Sequence, residues 1–199
     1  MIEVEKKFIL DEQNTKQLTL GAEFLKRITF TDVYYDSAAY ALTLKDLWLR
    51  TRDGRFELKL PMHPDADRLA DQYEELDDET AIRTALKLPS GGTLSDTLAD
   101  AGLAPFCECV TTRTKYRREP FLIDLDDVAY PDFRYTLGEI ELMVPGQSDV
   151  PAAIDQIMAF AHEQKLTIAP VRGKVIEYLR RMKPAYYQAL VEAKVIQDF

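Results

Sequence analysis

A chain of 199 residues and 22.8 kDa is sized for one domain, or for one domain with a helical appendage. Its formal charge of −9 and pI near 4.8 argue against a general binder of nucleic acid or anionic membrane, whose affinity depends on a cationic field. With 46% apolar and 10% aromatic residues it can bury a sizeable core, which argues against intrinsic disorder.

The first segment alternates: Glu3, Glu5 and Lys7 fall on one face, and Ile2, Val4 and Phe8, with Lys6, on the other. Glu12 to Lys26 reads as a helix carrying Leu18, Phe24 and Leu25. Trp48, Arg50 and Arg52 then alternate with Leu49 and Thr51. Across an Asp53-Gly54 turn, Arg55, Glu57 and Lys59 alternate with Phe56, Leu58 and Leu60. The stretch Pro61 to Gln72 reads as a surface connection, and Tyr73 and Glu75 as a short strand. Helices are predicted over Glu79 to Lys87 and Leu94 to Ala101, joined by a Ser90-Gly91-Gly92 turn. Three alternating segments follow: Arg113, Lys115 and Arg117, then Asp124 and Asp126, then Glu139 and Glu141. Val150 to Gln164 is helical, and Pro184 separates a helix through Val175 and Met182 from a last one reaching Val195. No linker divides the chain, so residues 1–199 are expected to form one domain that includes the helices from about 170.

The remaining chemistry is sparse. Cys107 and Cys109 lie one residue apart on a strand-like segment, which suits two buried thiols better than a disulfide or half of a zinc site. His63, in a Pro-rich loop, and His162, on a helix face, leave little material for a histidine triad. No apolar run approaches the ~20 residues of a membrane span, and the first residues do not resemble a signal peptide, so a cytoplasmic protein is expected.

The polar strand faces are unusual because nearly every position is a full charge, grouped by sign. If the sheet closes with that face inward, helices must cover the apolar outside, and the result is an α+β fold. It would be a closed antiparallel eight-stranded barrel with helices packed outside and a charged lumen within. The face gathers Lys7, Arg50, Arg52, Lys59, Arg113, Lys115 and Arg117 with Glu3, Glu5, Glu57, Glu75, Asp124, Asp126, Glu139 and Glu141. Buried charge must be compensated, and paired arginines suit phosphate oxygens, whereas carboxylates from three strands suit a hard divalent ion. A metal–polyphosphate complex satisfies both. Arg172-Gly173-Lys174 lacks the phosphate-loop pattern, since Ile168 stands in place of its first glycine. Lys174 would either cap one barrel mouth or be an ordinary surface lysine.

These residues resemble the CYTH superfamily, the triphosphate tunnel metalloenzymes. Glu3-Val4-Glu5-Lys6-Lys7 matches its ExExK signature, and the similarity runs along essentially the whole chain. Asp32-Val33-Tyr34-Tyr35-Asp36, Trp48-Leu49-Arg50, Phe56-Glu57-Leu58-Lys59, Gly138-Glu139-Ile140-Glu141 and Lys174-Val175-Ile176-Glu177 resemble the thiamine triphosphatase branch in particular. The resemblance implies metal-dependent hydrolysis of thiamine triphosphate to thiamine diphosphate and phosphate. By it, Lys7, Arg50, Arg52, Lys59, Arg113 and Lys174 would bind the triphosphate, and Glu3, Glu5, Asp124, Glu139 and Glu141 would hold Mg²⁺, or alternatively Mn²⁺. Tyr34 and Lys59 would activate water, and Trp48 would face the organic end unless it is a core residue. A strand as basic as Lys115, Arg117 and Arg118 would also suit inorganic tripolyphosphate. Cyclisation of ATP and non-catalytic polyphosphate binding are further alternatives. The expected partner is a small-molecule triphosphate, bound by a monomer with no nucleic-acid or membrane partner.

Overall fold

The computed structural model describes residues 1–63 and 69–199. Part of the connection expected between Pro61 and Gln72 therefore lies outside the described residues. Among these residues, eight antiparallel strands close into a barrel in the order β1-β5-β4-β3-β2-β6-β7-β8, with β8 pairing back onto β1. The strands are β1 (Ile2–Phe8), β2 (Glu23–Asp36), β3 (Trp48–Arg52), β4 (Arg55–Pro61), β5 (Asp71–Leu76), β6 (Ala104–Arg118), β7 (Phe121–Ala129) and β8 (Arg134–Val144). Six helices surround them: α1 (Glu12–Thr19), α2 (Glu79–Leu86), α3 (Leu94–Asp100), α4 (Val150–Glu163), α5 (Lys174–Met182) and α6 (Pro184–Glu192).

The hydrophobic core forms three clusters: two lie between the outer face of the barrel and the helices, because the period-2 pattern turns apolar side chains outward there, and the third packs α5 and α6 against apolar residues on the lumen face. Ile2, Val4 and Phe8 of β1 meet Ala153, Ile157 and Phe160 of α4. Leu49 and Leu58 meet Ile82 of α2 and Leu94 and Leu98 of α3. Val175, Leu179, Tyr186 and Leu190 of α5 and α6 cover Cys107, Cys109 and Val128. Both cysteines are free and buried. The β3–β4 hairpin turns on Asp53 and Gly54, whose φ of 48° and 81° supply the two left-handed residues that a tight hairpin of this kind requires.

Several sequence expectations are corrected. The first helix stops at Thr19 rather than Lys26. Gly21, at φ 75°, turns the chain, and Phe24, Leu25 and Lys26 enter the fourteen-residue strand β2. That strand pairs with β6 from Glu23 opposite Arg117 to Asp36 opposite Ala104. Long-range pairing therefore overrides the local helical spacing: Phe24 stays 57% exposed and meets Tyr116 edge-on at 5.8 Å instead of entering a helix core. Arg117 does not face the lumen. It is solvent-exposed at the end of β6, near Glu23 and Glu119, and Arg118 turns to Gln164. The last helix ends at Glu192, short of Val195, and the irregular chain beyond it brings Ile196 to the barrel interior.

Candidate functional site

The barrel encloses a charged tunnel with a cavity of about 470 Å³. Strand parity places its lining: Glu3, Glu5 and Lys7 from β1, Trp48, Arg50 and Arg52 from β3, Lys59 from β4, Arg113 and Lys115 from β6, and Glu139 and Glu141 from β8. Tyr34 on β2 and Lys174 at the start of α5 also line it. Gly173 lets α5 approach closely, since a Cβ there would lie 3.3 Å from Lys7 Cε. Asp124 is fully buried and joins Glu139 and Glu141 from the neighbouring strand. The structure thus gathers the sequence-predicted site residues around one cavity.

One half is cationic. Arg52 donates through Nε and Nη2 to Asp32 at 2.9 and 3.2 Å, and Lys174 Nζ donates to the same carboxylate and to Thr111 Oγ1 at 3.3 Å. Arg50 donates to Glu57 and Glu75, each at 2.8 Å. The Phe30 ring lies among three of these cations, with its centroid 4.1 Å from the Arg52 guanidinium, 5.1 Å from Lys174 Nζ and 5.8 Å from the Arg113 guanidinium. Its negative ring face offers them partial compensation.

The other half is acidic. Oxygens of Glu3, Glu5 and Glu141 lie within 4.8 Å of one another, as do those of Asp124, Glu139 and Glu141. Arg113 spans the two halves: it donates to Asp126 at 2.7 Å, to Glu139 at 2.9 Å and to Asp124. Burial, reinforced by Glu5, pushes the Glu139 carboxyl up to about 7, and burial with Asp124 and Glu3 raises Glu141. Burial also acts against ionised Glu5, but Lys59 and Lys7 outweigh it and hold that group at about 2. Asp124 Oδ1 is buried 2.8 Å from Lys115 Nζ, yet no donor meets it in hydrogen-bond geometry.

Lysine chemistry divides across the tunnel. Lys59 donates to Glu3 at 2.6 Å and stands 3.7 Å from Glu5. Burial favours its neutral form, but these carboxylates and Glu75 hold its pKa above the ordinary lysine range. Lys7 is likewise held charged against burial by Asp71 and Glu5, at 2.6 and 2.5 Å. Lys174 behaves oppositely, because burial pulls its pKa down. Burial raises the Tyr34 hydroxyl, so it enters any chemistry protonated.

Trp48 lines the tunnel while packing against Tyr34, Tyr73 and Val175. Its indole N–H donates to Asp46 Oδ1 at 2.6 Å. The same carboxylate accepts from Tyr73 at 2.9 Å and meets His63 Nε2 at 2.6 Å. His63 is therefore enclosed beside the tunnel rather than spread on a surface loop. Sequence reasoning missed Phe30, Asp32, Asp46 and Asp71. Asp32 carried a signal in its parity with Tyr34, whereas Asp46 lies in an irregular connection with no periodicity to read.

The CYTH domain family matches residues 1–167. Thiamine-triphosphatases of Macaca fascicularis and Homo sapiens are 31% and 32% identical to this chain, covering 96% of it and 90% of each relative. Among solved structures, the PH1819 protein of Pyrococcus horikoshii OT3 superposes with a TM-score of 0.64 at 20% identity, over 90% of this chain and 99% of that one. The Hippeastrum protein HpAC1, described with a dominant triphosphatase activity, does so with a TM-score of 0.52 at 17% identity, over 94% and 95%. Those two likenesses speak to the fold. The sequence match over most of the chain goes further: this protein belongs to the CYTH family.

Proposed function

We propose that this protein is a metal-dependent triphosphate hydrolase whose preferred substrate is thiamine triphosphate, cleaved to thiamine diphosphate and phosphate. The carrying observation is the tunnel itself, where cations and two overlapping carboxylate triads are gathered around one cavity. Its similarity to two thiamine-triphosphatases supports the choice of substrate. Arg50, Arg52, Arg113, Lys7, Lys59 and Lys174 are assigned to the phosphates, where fixed cations stabilise charge spread over the transferring group. Trp48 is assigned to the cationic thiazolium end.

The acidic half fits a hard divalent ion. All of its donors are oxygens, burial together with neighbouring carboxylates raises the pKa values of Glu139 and Glu141, and Asp124 Oδ1 lacks a properly directed donor. Glu3, Glu5, Asp124, Glu139 and Glu141 would hold Mg²⁺, or Mn²⁺ in its place. When bound, such an ion supplies charge neutralisation at the phosphoryl oxygens. Lys59 is assigned as proton acceptor for the attacking water and Tyr34 as the group that orients it. Glu3 and Glu5 keep Lys59 charged in the tunnel as it stands, so the role requires those carboxylates to be drawn away from it.

The C-terminal helices are read as part of the same domain, because α5 delivers Lys174 into the tunnel. The protein is expected to act as a cytoplasmic monomer without nucleic-acid or membrane partners. No helix among the described residues is long and apolar enough to cross a membrane. Tripolyphosphate is kept as a second substrate because the phosphate cations are blind to an organic end. The extra basicity of β6 lends that reading less support than the sequence suggested, since Arg117 and Arg118 point away and Lys115 faces Asp124 and Glu141. Phosphate release from thiamine triphosphate, tripolyphosphate and ATP with Mg²⁺ tests the assignment. Tight binding without release from any of them would instead identify a polyphosphate-binding module.

A further inference from the structure

Asp32 lies on β2 with its carboxylate wholly buried where cations of the tunnel converge. Arg52 chelates it, Lys174 Nζ donates to its Oδ2, and Arg50 Nε stands 3.9 Å from its Oδ1. An anion at this point repels the triphosphate that the same cations are assigned to hold. Its presence is explained by where those cations come from. Arg50 and Arg52 are fixed by the β2–β3 register, Arg52 opposite Asp32 and Arg50 opposite Tyr34. Lys174 instead arrives from α5 and must enter beside an arginine already in place. Two cations brought together without water repel unless an anion is shared between them.

We propose that Asp32 is a positioning residue of the triphosphate site, holding the Lys174 ammonium charged and seated among the arginines so that it is ready to meet phosphate. This rests on reading the tunnel as a triphosphate site. The groups facing Lys174 are Asp32 and the Phe30 ring on β2, Arg50 on β3, Cys109 and Thr111 on β6 and Asp126 on β7. Asp32 is the carboxylate in direct contact, whereas both oxygens of Asp126 are taken by Arg113. Burial and Arg50 pull the Lys174 pKa down, and Asp32 is the strongest opposing influence. For Asp32 burial acts against the charged form, but Lys174, Arg50 and Arg52 hold the carboxyl well below its ordinary range. Neutralising Asp32 should therefore let Lys174 lose its proton at lower pH, while the arginines stay charged throughout.

The test is Asp32→Asn, assayed for kcat and KM with thiamine triphosphate and tripolyphosphate from about pH 6 to pH 10, a range spanning the alkaline side where a depressed lysine titrates. At the acid end KM should equal or fall below the wild-type value, because a repelling charge has gone. As pH rises KM should climb, moving the basic limb of kcat/KM down by about one unit or more, which is about a tenfold loss on that limb. Kcat should move less. Adding Lys174→Arg to Asp32→Asn should restore the alkaline limb, because a guanidinium does not titrate there. A loss by one constant factor at every pH, or a limb that stays in place, overturns the proposal.

An independent measurement is the titration of Lys174 Nζ by NMR on lysine-labelled protein without substrate, with Lys174→Arg providing the assignment. Its midpoint should fall in Asp32→Asn whether or not the protein hydrolyses anything, so failure of the hydrolase reading leaves this result interpretable. An unchanged midpoint overturns the proposal. If Asp32→Asn does not fold, Asp32→Glu serves: it keeps the charge and should preserve the Lys174 midpoint, and a fall there counts against Asp32 as the group that holds the proton.

Discussion

Trp48 and Asp46 are joined by a 2.6 Å hydrogen bond from the indole N–H to a carboxylate oxygen, and that bond sets which edge of the ring is spent on the protein. The ring lines the tunnel, and on the proposed reading its π face would meet the organic end of the substrate. Contact between that face and a cationic heteroaromatic is worth on the order of 0.5 to 2 kcal/mol. Trp48→Ala should therefore lower kcat/KM for thiamine triphosphate by roughly 2- to 30-fold more than for tripolyphosphate. The melting temperature should fall as well, since the indole also packs in a core cluster. Equal losses on the two substrates would reduce Trp48 to a packing residue.

Arg52→Ala should raise KM for every triphosphate alike. Hydrogen bonds to charged groups are worth about 1.5 to 3 kcal/mol, so the rise should be about 10- to 150-fold with little dependence on the organic end. A variant that loses thiamine triphosphate but keeps tripolyphosphate intact would show that Arg52 does not meet phosphate.

Glu139→Gln separates metal binding from stability. Burial raises the Glu139 carboxyl to about 7 in the folded protein, so its stabilising contribution is complete below the unfolded value of 4.5 and is lost as pH climbs through about 7. Above that, the ionised form weighs against the fold when no cation is present. In chelator at about pH 8, the glutamine variant should therefore melt no lower than the wild type. Its activity with Mg²⁺ should fall at least about 100-fold if Glu139 is a direct ligand, as proposed. Thermal melts in chelator and phosphate release in Mg²⁺ read the two effects separately, and full wild-type activity in excess chelator would refute the metal assignment.

Cys107 and Cys109 are buried beneath α5 and α6, and burial raises both thiol pKa values. Few thiolates are present at neutral pH, and neither sulfur is accessible. A thiol reagent should leave the native protein unmodified and label two thiols after denaturation. Rapid labelling of the folded protein would mean that α5 and α6 open away from the barrel.

The strand parities of β1, β3, β4, β7 and β8 were legible in the sequence because alternation is local. Each residue's face follows from its neighbours two positions away, so Glu3, Glu5, Arg50, Arg52, Lys59, Glu139 and Glu141 could be placed inward before any strand was paired. The same local rule failed for Phe24 and Leu25, whose spacing suits a helix; only pairing with β6, more than eighty residues away, makes them part of a strand. It failed again for Arg117, because parity gives a face but not where the barrel ends along that face. Asp32 and Asp46 needed the assembled molecule for another reason. Asp32 becomes the partner of Lys174 only when the closed barrel and α5 set their distance, and Asp46, although two residues from Trp48, gathers Tyr73 and His63 around it only in the folded chain.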